Sequence, residues 1–168
     1  FMEIYPKNEI EKKYQRDIEY SLLNGLLTGD ELSKAAGMLK LKDTAQYCVV
    51  SFHTISSNSE DYYTKEELEE IGVIEGEIQR LLPDEHIYRN LNQIVCIHEI
   101  KPGETQAGFR EEMEKLYQTV QKQIFHRNKT TDFQIGIGSI VNGYGDLKKS
   151  FKDSKKIIDY MDMLRYLY

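Results

Sequence analysis

Long apolar runs are missing from this chain of 168 residues. None approaches the ~20 consecutive apolar residues that a membrane span requires, so no transmembrane helix and no membrane contact are expected. No signal-peptide pattern opens the chain, where charged and polar residues interrupt the apolar ones. Cysteine is scarce. Cys48 and Cys96 are the only two, they sit inside apolar runs that read as strands, and they lack CxxC or CxxH spacing. That excludes a zinc site and a disulfide framework and points to buried free thiols in a reducing cytoplasm. Positive charge is in deficit, with 22 Lys and Arg against 28 Asp and Glu, a formal net charge of -6. An acidic surface repels phosphate, so this chain is not expected to bind nucleic acid on its own. Internal repeats and low-complexity stretches are also absent.

What is present suffices for a buried core. Hydrophobic residues make up 40% of the chain, and its length fits one domain with an extension. Residues 1–43 read as N-terminal linker or signalling helices and residues 44–168 as the domain proper. Ile10, Tyr14, Ile18, Leu22 and Leu26 recur at four-residue spacing and predict a helix over Lys7 to Leu27. Near Leu22 and Leu26 this helix should pack on the domain; near Ile10 and Tyr14 it should project and pair with a second copy. Gly29 can end it. Thr28 and Glu31 have capping-box spacing for a second helix, which offers Leu32, Ala35, Ala36 and Leu39 to the core.

Gln46 to Ile55 is rich in β-branched and aromatic residues and predicts a central strand. Thr64 and Glu67 form another capping box, opening a helix with Leu68, Ile71, Ile74, Ile78 and Leu81 on one side, stopped by Pro83. Two short strands follow around Ile87–Arg89 and Ile94–Ile97, joined as a hairpin. Phe109, Met113, Leu116, Val120 and Ile124 mark a helix to about His126. Phe133 to Val141 is a strand, and Asp146 can cap a last helix with Leu147, Phe151, Ile158 and Met161 inward. The order is two helices, then β-α-β-β-α-β-α. This predicts an α+β fold: a ferredoxin-like antiparallel sheet with helices on it and an N-terminal helical extension.

Phe133-Gln134-Ile135-Gly136-Ile137-Gly138, followed by Leu147-x-x-Ser150-Phe151-x-x-Ser154, resembles the end of a GGDEF-like domain. More narrowly, it resembles the degenerate GGDEF-like region of AraC-type bacterial transcription regulators of the response-regulator type, with Ser154 where that group usually has Ala. Leu22-Leu23-Asn24-Gly25-Leu26-Leu27-Thr28-Gly29 resembles the helix end that leads into such a domain. The resemblance covers Leu22 to Tyr160. It implies neighbours outside this sequence: a sensory or receiver domain before it and a helix-turn-helix pair after it.

Active members of the wider family carry Gly-Gly-Asp/Glu-Glu-Phe on the hairpin and a metal-binding Asp at the end of the first strand. Here Asn90-Leu91-Asn92-Gln93-Ile94 lies over the hairpin motif, and Ser51-Phe52-His53 over the first-strand segment. Glycines and acids are both gone. Mg²⁺ prefers hard anionic oxygens, which Asn92 and Ser51 do not supply. The inhibitory Arg-x-x-Asp is missing too, since Asn90 and Leu91 follow Arg89. No catalytic residues, no metal site and no cofactor are therefore expected.

The remaining polar residues read as ordinary surface or core. His53 and His98 fall at opposite ends of a strand pair, so a shared metal is not expected there, and His86 and His126 lie elsewhere. Glu66, Glu67, Glu69, Glu70, Glu111, Glu112 and Glu114 read as exposed helix faces. So do Lys148, Lys149, Lys152, Lys155 and Lys156, which are interleaved with Asp146, Asp153 and Asp159. Ile135-Gly136-Ile137-Gly138 lacks phosphate-loop spacing, and its glycines read as a close approach of a helix to the strand. The sequence thus points to a cytoplasmic, non-enzymatic regulatory domain that forms a homodimer through its first helix. A nucleotide-binding or residual diguanylate cyclase-like domain and a small-molecule effector sensor are the alternatives.

Overall fold

The computed structural model describes residues 7–55, 63–90, 92–126 and 132–167; the side chains of residues 7–12, 125, 126, 162 and 165–167 lie outside that description. Four strands, β1 (Gln46–Ile55), β2 (His86–Asn90), β3 (Gln93–Glu99) and β4 (Asp132–Asn142), form one sheet in the order β2-β3-β1-β4. Every neighbouring pair is antiparallel. The strand between each two helices returns beside an earlier one, which is the split arrangement expected from the element order.

Side chains alternate across the sheet. Cys48, Val50, Phe52, Ile94, Cys96 and Phe133 meet Ile74 and Ile78 of α3 (Lys65–Leu81) and Met113, Leu116 and Val120 of α4 (Gln106–His126) on one face. Tyr47, Val49, Val95, Ile97 and Val141 meet Leu22 and Leu23 of α1 (Lys7–Leu23), Ala35 and Ala36 of α2 (Gly29–Met38), and Leu147 and Phe151 of α5 (Leu147–Leu167) on the other. Because both faces are covered, β1 carries a run of buried residues from Tyr47 to Phe52 rather than a polar-apolar alternation. Among the described residues no helix is long and apolar enough to cross a membrane.

Helix α1 ends four residues before the predicted Leu27. Gly25 adopts a left-handed φ of 67°, and the Leu26 amide reaches back to the Ser21 carbonyl at 2.9 Å while Gly25 bonds Leu22 at 3.2 Å. This paired closure satisfies the last carbonyls of the helix. The chain turns away there, so Leu26 is 62% exposed instead of packed. Gly29 accordingly begins α2 rather than ending α1, and Thr28 makes no side-chain cap bond. The other capping prediction holds, with Thr64 Oγ1 accepting from the Glu67 amide at 3.1 Å. At the far end of the chain, Asp146 sits in a short 3₁₀ turn (Tyr144–Asp146) that runs directly into α5. Met161 is exposed rather than inward, whereas Leu147, Phe151 and Ile158 are buried as expected.

Candidate functional site at the hairpin end of the sheet

The strand register brings the positions of interest together. His53 pairs with Gln93 of β3 and with Gln134 of β4, and Ser51 with Val95 and Gly136. Asn92, at the hairpin turn, lies against the end of β1. Its side-chain nitrogen is 2.5 Å from His53 Nε2, and its carbonyl accepts from the Thr54 amide at 3.0 Å. Ser51 is buried, and its Oγ lies 2.6 Å from Ser154 Oγ of α5. Both side chains are thus engaged by neighbours and neutral. Mg²⁺ sites draw on carboxylates. Among the described residues no group of three or more His, Cys, Asp or Glu is placed to hold a metal ion. Asn92 and Ser51 contribute no carboxylate at this end of the sheet.

Helix α5 holds this end in place through an unusually close seam. An added Cβ on Gly136 would overlap the Ser154 carbonyl oxygen, and one on Gly138 the Ser150 carbonyl oxygen. The helix backbone therefore rests on the strand where side chains are missing, as the glycines predicted. The β1–β4 ladder shifts register between Cys48 and Val50, a β-bulge that leaves the Val49 amide without its strand partner. Ser150 Oγ fills the gap. It accepts from Val49 N–H at 2.8 Å and donates to the Ser139 carbonyl at 2.6 Å. Sequence reading found the serines as a motif but not this task, because the bulge itself has no signature in β4.

The lysines of α5 do more than decorate a solvated face. Lys152, Lys155 and Lys156 line a cavity of about 270 Å³ together with His53, Gln93 and Asp159. Lys155 Nζ sits 4.2 Å over the Phe151 ring, an arrangement that attracts a cation to the aromatic face.

A second polar cluster escaped the sequence reading. His98 is buried on β3, with Nδ1 2.5 Å from Glu85 Oε1 and Nε2 2.9 Å from Glu104 Oε1. Its ring stacks on Phe109 at 4.3 Å. Burial alone would lower the His98 pKa, but the hydrogen bonds and charges of Glu85 and Glu104 outweigh it and raise it. Burial likewise pushes Glu104 up, and the Lys101 amide and His98 pull it below the usual carboxylate range. The two shifts stabilise the fold fully between the ordinary values of 4.5 and 6.5. That contribution fades as pH rises through the His98 value or falls through that of Glu104. The carboxylates occupy opposite edges of the ring, so the three cannot converge on one ion. The register places His98 opposite Cys48, five positions along β1 from His53, and hence ~16 Å from it, as expected. His126 lies outside the described side chains. Cys48 and Cys96 fall on the paired strands β1 and β3 and are free thiols. Burial raises both, Cys48 to about 11, which keeps them in the unreactive thiol form.

No curated protein matches the chain. The family model for the GGDEF-like domain matches residues 24–160, which takes in α2, the whole sheet, the glycine–serine seam and most of α5. The chain belongs to the GGDEF-like domain family.

Proposed function

We propose that the chain is a regulatory or interaction domain without catalytic activity, of the kind carried by AraC-type transcription regulators. In this reading it relays a signal to a DNA-binding domain outside this sequence. The observation that carries the reading is the hairpin end of the sheet. Asn92 is engaged with His53 and Thr54, and Ser51 with Ser154, where a cyclase needs free carboxylates. Incubation with GTP and Mg²⁺ should yield no cyclic di-GMP above a protein-free control; product above that background would sink the reading. The lysine cavity beside His53 favours a second reading, a nucleotide held without turnover. Retention of labelled GTP in equilibrium dialysis, lost in Lys155→Ala, would move the conclusion to it.

The relay would act through a dimer of α1. Tyr14 is 56% exposed on that helix, while Ile18 packs against the core and Leu22 is buried. An apolar stripe gains by leaving water, and a second copy of the helix offers the matching stripe. Replacing Ile10 and Tyr14 with Glu should shift the chain toward monomer in analytical ultracentrifugation and leave its thermal unfolding unchanged. A wild type that is monomeric at high concentration contradicts the relay.

A further inference from the structure

A larger recess lies at the opposite edge of the sheet. It is a cleft of about 660 Å³ between α1, α3 and β2. Strand β2 is an outer strand, so among the described residues one side of its backbone has no strand partner. Glu19 of α1 lines the cleft although it is only 2% exposed. Gln15 donates to its Oε1 at 3.2 Å, and its Oε2 is buried with no hydrogen-bond partner. A buried polar atom left unpaired costs about 1–3 kcal/mol, and such groups are otherwise satisfied by protein or water. Here the unpaired oxygen, itself buried, belongs to a residue at the wall of an open cleft.

The other walls say what would fit. Arg16, exposed one turn before Glu19, stands nearer solvent. Arg89 Nε lies 3.7 Å from Glu75 Oε2, both side chains about a quarter exposed at 28% and 24%. Leu68 and Ile87 supply apolar surface. The deepest charged group is therefore the Glu19 carboxyl, while Arg16 and the Arg89–Glu75 pair lie nearer the mouth. A simple cation would meet the arginines on entry, and a simple anion would meet Glu19 at the base. A molecule carrying a donor at one end and an acid at the other satisfies both. We propose that the α1–β2–α3 cleft binds a small zwitterion of the α-amino-acid class, its ammonium on Glu19 Oε2 and its carboxylate toward Arg16 and Arg89. The inference stands on the cleft alone and holds whether or not the domain relays a signal to DNA.

The test is isothermal titration of the chain with each standard amino acid, alongside butylamine and butyrate as the two half-molecules. At least one amino acid should bind, while neither half-molecule does. Glu19→Gln should weaken that binding by about tenfold or more, and Arg16→Ala should weaken it as well. Lys149→Ala, on the exposed face of α5, should leave it unchanged. Binding of no amino acid would mean that water occupies the cleft, and would overturn the proposal. So would binding that survives both Glu19→Gln and Arg16→Ala, or a half-molecule that binds as well as the whole.

Discussion

Helices α5 and α1 cover the same face of one sheet in opposite ways. Under α5, Gly136 and Gly138 let the backbones touch, and Ser150 and Ser154 close the seam with hydroxyl bonds. Under α1, only Leu22 and Leu23 of the last turn are fully buried apolar side chains, Ile18 packs half-buried a turn earlier, and Glu19 beside it lines a cleft with an unpaired oxygen. The difference lies in side chains. Helix and strand can meet at backbone distance only where Cβ atoms are missing, and long polar side chains at the other edge hold the elements apart. The tight side resembles a fixed joint and the loose side a site with room for something else.

The comparison breaks most easily on the tight side. Gly138→Val would drive its branched side chain into the Ser150 carbonyl, so α5 must lift from the strand. A loss of about 3 kcal/mol, the upper end for overpacking, is expected because the obstacle is backbone. Gly145→Ala, with nothing within 4 Å of the added Cβ, serves as the control. Urea titration of both variants checks this, and an unchanged midpoint for Gly138→Val would show that α5 is not seated there.

On the loose side a substitution should help. Burial raises the Glu19 carboxyl from 4.5 to about 7. A group with a raised folded value contributes its stability below the unfolded value, and loses it as pH climbs through the folded one. The chain should therefore weaken between pH 4.5 and 7 through this residue. Glu19→Gln does not titrate, so it should match the wild type near pH 4.5 and exceed it at pH 8 by on the order of 2–3 kcal/mol. Unfolding curves at the two pH values measure the gap. A gap that does not grow with pH would mean that Glu19 is solvated and the two sides are less different than described.

The smallest effect concerns α2, which shares the α1 side. Its C-terminus closes as α1 does, with the Leu41 amide on the Ala36 carbonyl at 2.8 Å, but Lys40 holds the left-handed φ of 58°. Lys40→Gly should stabilise the chain by about 0.5 kcal/mol, as relief of the left-handed cost exceeds the added freedom of the unfolded chain. A drop in thermal midpoint would show that the Lys40 side chain contributes more than its backbone costs.

The sequence made the middle of the chain legible. β1 has the predicted limits, Gln46 to Ile55, and the capped α3 and the hairpin appear where periodicity and turn residues placed them. Those signals are local. The end of α1 was misplaced because Leu26 continues the four-residue spacing past Gly25, and only the backbone turn shows that the helix has stopped. His98 was seen as a lone histidine, since Glu85 comes from the loop before β2 and Glu104 from the turn before α4. Glu19 looked like any charged residue on an amphipathic helix. Its burial depends on β2 and α3, which follow it by dozens of residues.

The seryl plug also has a consequence in time. Val49 waits for Ser150, a partner 101 residues further along the chain, and β1 waits for β4, whose pairs lie about 77 to 96 residues away. The central strand of the sheet is thus synthesised early and completed last. Contacts of such long sequence separation slow folding, because the intervening loop must close before they form. A ribosome-bound chain that stops short of β4 would leave one edge of β1 open, and such an edge is a template for pairing with other chains.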